Sequence, residues 1–398
     1  MFLAAAPYFQ TRFYDNPRIL KSFQSAITSV GTVTNLGSML ILGHLQAKAN
    51  YPKRIIVSLM ANVVVFSLLA ISTEYFTGIS SPAYLAFTLV MVFSTSVATG
   101  LCQNGAFAFA SSFGRPEYIQ AILTGQAVAG VLPSVAQILS VLAVPPPTDW
   151  NDAASVKAFI DKGNVTSAFV YFLTATGISV IVLFAVFPLV RKHKRILEAE
   201  MASSYGSATS LEEAQRAKRK VVSMWTLYKK LHWSAAAVFL TFAVTMFFPV
   251  YTQKVTSIIP VEQAPRLFQP SAFIPLGFLV WNSGDLTGRL VTLLPYGTHV
   301  RPLILFVLAI LRVGHIPLYY LCNLDGKGAI IKSDAFYLVF VSFGFGLTNG
   351  WVSSLCMMRA GDYVEESERE AAGSFMAINL VAGLMSGSLL SFAASAVH

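Results

Sequence analysis

The stretch Phe273–Leu290, FIPLGFLVWNSGDLTGRL, is mostly apolar yet carries Asn282, Asp285 and Arg289. On a helix, the i, i+3, i+7 spacing turns these three side chains roughly the same way, and Asp285 and Arg289 become an i, i+4 pair of opposite charge. An ionised side chain costs at least ~2.5–3.5 kcal/mol in hydrocarbon on insertion scales, so such residues face a bundle interior or a water-filled cavity. The stretch therefore reads as a polar site inside a membrane protein. The competing reading is a buried ion pair that only fixes helix packing.

The rest of the chain agrees with a membrane setting. Of 398 residues, 55% are hydrophobic and 12% charged, whereas a soluble domain carries about 25% charged residues. The formal net charge of +9 is not a nucleic-acid footprint, because the basic residues gather mainly in one loop. Cys102, Cys322 and Cys356 lie in or at the ends of apolar segments, with neither metal-ligand spacing nor a disulfide framework.

A spanning helix needs about 20 largely apolar residues. Ten such segments are expected near 25–43, 55–73, 83–111, 119–143, 167–190, 233–253, 271–294, 301–322, 334–358 and 371–396, and 1–9 reads as part of an eleventh. The basic segment Arg191–Leu231 is placed in the cytoplasm by the positive-inside rule. It divides the chain into an N-terminal bundle (1–190), a cytoplasmic loop (191–231) and a C-terminal bundle (232–398). Within it, SSYGSATS is flexible and polar, read as a tether with anchoring charges; Ser203, Ser204 and Ser207 are the phosphorylation candidates. A second polar loop, Pro145–Lys162, opens with three prolines. Asn164-Val165-Thr166 follows it as a glycosylation sequon, close to the next helix.

Other spans carry amides where hydrocarbon should dominate: Gln103 and Asn104, Gln126, and the TNG run Thr348–Gly350. Amides donate and accept together, which suits the edge of a heterocyclic base or a sugar; interhelical hydrogen bonds are the plainer reading. Gly346/Gly350 and Gly383/Gly387 have the small-xxx-small spacing of close helix packing. Pro133, Pro188, Pro249 and Pro317 should interrupt or end helices. His315, beside Arg312, reads as a structural imidazole, with proton relay as the alternative. The chain has no GxSxG, HExxH, P-loop or CxxC signature, so catalysis, a metal and a cofactor are not expected.

Six stretches together carry a family resemblance: PYFQTRF (7–13), TFAVTMFFPVYT (241–252), WNSGDLTGR (281–289), LRVGHIPLYYLCN (311–323), TNGWVSSLCMM (348–358) and AAGSFMAINLVAGLMSGSLLSF (371–392). In this order they resemble the equilibrative nucleoside transporters over nearly the whole length. The resemblance implies an all-α carrier of the major-facilitator type with about eleven transmembrane helices, six and five, working by alternating access. Its substrates would be nucleosides such as adenosine or uridine, with nucleobases in some members, moved by facilitated diffusion or proton coupling. Asp285 and Arg289 correspond to the family's charged substrate pair, with Asn282 on the same face. Asn104 aligns where mammalian members carry a base-reading glutamine, Gln126 is a second base contact, and Leu3 falls near a pocket-lining methionine. The family's Pro-Trp-Asn before the YF pair is missing ahead of Met1, so the first helix is expected to be incomplete. A vacuolar or plasma membrane is the expected location. The alternatives are a carrier of another polar solute, such as a sugar or drug, and a non-transporting receptor.

Overall fold

A computed structural model describes residue 2 and residues 5–46, 49–76, 78–143, 153–203, 222–260, 263–294 and 300–396. The helices in order are α1 (Ala6–Arg12), α2 (Pro17–His44), α3 (Tyr51–Tyr75), α4 (Ser81–Ser112), α5 (Pro116–Ala143), α6 (Ala153–Ser203), α7 (Met224–Thr245), α8 (Pro270–Val291), α9 (Pro302–Leu311), α10 (Gly344–Arg359) and α11 (Arg369–Ala396). Their starts are written in the sequence. Asn16, Asn50 and Ser223 cap α2, α3 and α7 by accepting from Ile19, Lys53 and Trp225 backbone N–H groups, and Pro17 and Pro52 occupy first-turn positions where no N–H is needed.

Prolines also explain the breaks. Pro249 cannot donate to the carbonyl four residues earlier, so α7 ends at Thr245 and resumes as Phe247–Thr252. Ahead of Pro317, α9 tightens to a 3₁₀ turn at Arg312–Gly314 before continuing through Leu318. The segment feeding α10, Phe336–Phe343, is π-helical, a widened turn that is frequent at functional sites.

Among the described residues, nine helices are long and apolar enough to cross a membrane. The 22-residue α8 has the length, and Asn282, Asp285 and Arg289 are what lower its apolarity. Two expected loops are partly helical instead. α6 begins inside Pro145–Lys162 and runs on to Ser203, into the segment read as a tether. Its continuation, KHKRILEAEMA, consists largely of strong helix formers that extend the ladder beyond the apolar span.

The chain forms two compact units. The first holds α1–α3, most of α4, and α6. Its core is aromatic, with Phe9, Phe13, Phe23, Tyr84 and Phe172 buried together. The Tyr84 hydroxyl meets those of Tyr8 at 2.9 Å and Ser72 at 3.0 Å. The second unit holds α5 and α7–α11, around Phe248, Trp281, Tyr319, Tyr337 and Phe345. Phe248 stacks on Trp281 with centroids 4.4 Å apart.

In the second unit, α8 lies against both α10 and α5. Glycines set the approach to α10 from both sides. A Cβ at Gly284 or Gly288 would overlap the carbonyl oxygens of Phe343 and Leu347, and one at Gly346 or Gly350 those of Trp281 and Asp285. The Gly383/Gly387 pair of α11 meets the Phe239 and Ala243 carbonyls of α7 in the same way. Only residues without a side chain allow backbones this close.

Candidate functional site

The glycine contacts draw α8 and α10 close enough for short polar side chains to meet. Asp285 and Arg289 are 3% and 4% exposed, and Arg289 Nε donates to Asp285 Oδ2 at 2.9 Å. The other carboxylate oxygen accepts from Asn349 Nδ2 of α10 at 2.7 Å. From the opposite side, α5 holds the arginine. Arg289 Nη1 donates to the Leu123 carbonyl at 2.8 Å, and Gln120 Nε2 donates to the Arg289 carbonyl at 3.1 Å. Arg289 Nη2 donates to no described residue.

The network continues away from the pair. Asn349 Oδ1 accepts from Thr245 Oγ1 of α7 at 2.6 Å. Arg312, 2% exposed at the end of α9, donates from Nη2 to Thr245 Oγ1 at 3.3 Å and from Nη1 to the Thr241 carbonyl at 2.9 Å. It also donates from Nε to Thr348 Oγ1 at 3.1 Å. Its guanidinium lies 4.9 Å from the centroid of the Phe345 ring, and the His315 imidazole stacks on that ring at 5.2 Å. Side chains or carbonyls of α5, α7, α8, α9 and α10 thus form one buried polar system. It contains two guanidiniums and one carboxylate.

This arrangement suits a neutral, multiply hydroxylated ligand. Each carboxylate oxygen can accept more than one hydrogen bond, and Arg289 retains donors at Nη2. A diol could donate to the first and accept from the second.

The remaining expected site residues divide between the two units. Asn282 is half-buried on α8; its Nδ2 donates to the Phe278 carbonyl at 2.8 Å, and its Oδ1 packs where Gly130 of α5 has no Cβ. Gln126 is half-buried on α5, one turn before Gly130. Asn104 belongs to the first unit, fully buried, with Oδ1 accepting from Arg54 Nη1. Its neighbour Gln103 accepts from Asn35 at 3.4 Å. Asn164, the sequon residue, is half-buried within α6 and donates to Thr11 Oγ1 at 3.1 Å. Leu3, Ser204 and Ser207 lie outside the described residues. Among the described residues, no group of three His, Cys, Asp or Glu side chains could hold a metal.

Sequence reasoning met Asn349 only as the amide of the TNG run, with interhelical bonding as the plainer reading, and passed over Thr245 and Arg54 as members of these systems. Asn349 had a visible signal, an amide between Thr348 and Gly350 in the middle of an apolar helix. Thr245 had none, since a threonine in a helix usually satisfies itself on the carbonyl four residues back, and the Thr241 carbonyl is within reach here too, at 2.8 Å.

Residues 89–396 match the sequence profile of a family described as nucleoside transporter. The nucleoside transporter FUN26 of Saccharomyces cerevisiae is 28% identical, an alignment covering 98% of this chain and 80% of that protein. Equilibrative nucleoside transporter 1 of Mus musculus is 27% identical, covering 96% of this chain and 86% of its own. Equilibrative nucleoside transporter 2 of Homo sapiens is 25% identical, over 98% and 92%. Among solved structures, the major facilitator superfamily transporter FucP in its outward conformation superposes with a TM-score of 0.52 at 13% identity, covering 99% of this chain and 95% of that one. That likeness is one of fold.

Proposed function

This chain belongs to the equilibrative nucleoside transporter family, and from that premise we infer that Asp285 and Arg289 bind the ribose of its substrate. The protein is a multi-pass integral membrane protein and a nucleoside carrier with a major-facilitator-like fold. The observation that supports the site assignment is the buried pair itself, a carboxylate and a guanidinium 2.9 Å apart in a chain composed for the membrane. Ribose hydroxyls donate to the free lone pairs of Asp285 and accept from Arg289, whose planar donors match a diol. Asn282 flanks the pair on the same helix. Asn104, Gln126 and Leu3 are the residues assigned to the base.

In this reading the chain catalyses no reaction and needs no cofactor. It carries its substrate across the bilayer by alternating access, with two helical bundles divided at the 191–231 segment. Loading stabilises the conformation in which the pair is best satisfied. The proposed location is a vacuolar or plasma membrane.

The test is uptake of radiolabelled adenosine and uridine into proteoliposomes, with and without a pH gradient. Saturable uptake competed by unlabelled nucleoside but not by glucose is the expected result. Accumulation beyond equilibrium only under the gradient would assign proton coupling, and its absence facilitated diffusion. Competition by sugars alone would overturn the substrate assignment.

A further inference from the structure

Both carboxylate oxygens of Asp285 are held in place, one by Arg289 and one by a residue with no role in the reading above. We propose that Asn349 is a positioning residue that sets the ribose preference of the carrier, and that Arg312, acting through Thr245, fixes the direction of its amide. The proposal rests on the assignment of Asp285 to the ribose hydroxyls. It deepens that assignment without adding a substrate contact, because Asn349 is 1% exposed.

Arg312 is buried, and its hydrogen-bond partners are neutral oxygens: the hydroxyls of Thr245 and Thr348 and the carbonyls of Thr241 and Phe345. Because its Nη2 donates to Thr245 Oγ1, the threonine proton must point elsewhere. Two acceptors are in reach, the Thr241 carbonyl at 2.8 Å and Asn349 Oδ1 at 2.6 Å. The carbonyl is shared with Arg312 Nη1 at 2.9 Å, and the bond to Asn349 is the shorter of the two, so Asn349 Oδ1 is the better acceptor for the proton. The amide then has its oxygen toward Thr245 and its nitrogen toward Asp285, where Nδ2 meets Oδ1 at 2.7 Å.

Reversing the amide would set an oxygen against a carboxylate and an N–H₂ against a hydroxyl proton. The field of Arg312 therefore reaches the carboxylate as an ordered row of dipoles, guanidinium to hydroxyl to amide to anion, each polarising the next. Asn349 blocks rotation of the carboxylate about its terminal torsion, a broad one by nature. The lone pairs left over point to one place, and a ribose diol finds them without reorganisation.

Comparing adenosine with 2′,3′-dideoxyadenosine, which keeps the base but lacks the diol, tests this. Affinities are read by ligand-induced thermal shift of the purified full chain in detergent. Asn349→Leu, close in volume, should weaken adenosine about tenfold, the scale of one hydrogen bond to a charged group, and leave dideoxyadenosine within about twofold. Thr245→Val should move the same ratio in the same direction by less. Equal losses for both ligands, or an unchanged ratio, would overturn the proposal; if Asn349→Leu does not fold, Thr245→Val decides alone by the same criterion. Asp285→Asn serves as the reference. If it leaves the ratio unchanged, the ribose assignment itself fails. If it shifts the ratio and the folded Asn349 and Thr245 variants do not, only the positioning role fails.

Discussion

The two compact units bring polar groups into their interiors for different ends. In the first, Arg12 lies over the Tyr84 ring at 4.8 Å and donates to the Phe76 and Ile79 carbonyls. Nearby, the Tyr8, Tyr84 and Ser72 hydroxyls satisfy one another. These bonds tie α1 to the ends of α3 and α4 through neutral acceptors, and they enclose no carboxylate. In the second unit a formal ion pair sits 3% and 4% exposed, where desolvation costs several kcal/mol per ion and an apolar pair of similar volume would often be as stable. The neutral hydroxyl cluster beside Arg12 can be explained by packing alone. The ionised pair, with donors left over at Arg289 Nη2, is the feature on which the proposed ribose assignment rests.

The sharpest way to break this contrast is Asp285→Asn. It leaves Arg289 buried without its anion, so unfolding stability should fall by about 3–5 kcal/mol and nucleoside affinity at least ~100-fold, read by thermal denaturation with and without adenosine. Wild-type behaviour in both would make the pair no different from the neutral cluster.

A second comparison sets two glycines against each other. Gly350 of α10 has the Asp285 carbonyl where a Cβ would stand, whereas a Cβ on Gly37 of α2 would meet nothing within 4 Å. Gly350→Ala should cost about 1–3 kcal/mol through overpacking and lower transport by prying α10 from α8. Gly37→Ala should be neutral or up to about 1 kcal/mol stabilising. Matching melting temperatures for the two variants would mean that the helices do not approach as described.

The smallest effect belongs to the first unit. Tyr84→Phe removes the hydroxyl shared by Tyr8 and Ser72 and should cost roughly 0.6 kcal/mol, the average for such bonds between membrane helices. Adenosine affinity should stay within about twofold. A larger loss of binding than of stability would give the neutral cluster a functional part as well.

Much of this was legible in the chain. Ten expected spans fall on α2–α11, because a run of apolar residues in lipid must satisfy its backbone internally and the helix is how it does so. Pro249 and Pro317 marked the breaks, since a missing N–H acts locally, whereas Pro133 and Pro188, expected to do the same, lie inside the unbroken α5 and α6. The i, i+4 relation of Asp285 and Arg289 was readable for the same reason. Helix α6 was less so, because a string of good helix formers and a polar loop have similar composition. Gly284 and Gly288 of α8 escaped notice as packing residues, although the matching pair in α10 was recognised.

By itself the sequence determined the helices, their likeness to a nucleoside-carrier family, and the i, i+4 placement of Asp285 and Arg289 inside an apolar helix. These follow from composition, local spacing and covalent geometry, which act within a few residues. Only the tertiary structure decided which neighbours those charges have. Asn349 lies 64 residues from Asp285, Leu123 lies 166 from Arg289, and Thr245 lies 104 from Asn349. No periodicity encodes such separations. They arise because glycine-lined helices approach until their backbones touch, and polar side chains trapped at that contact have only one another to bond with.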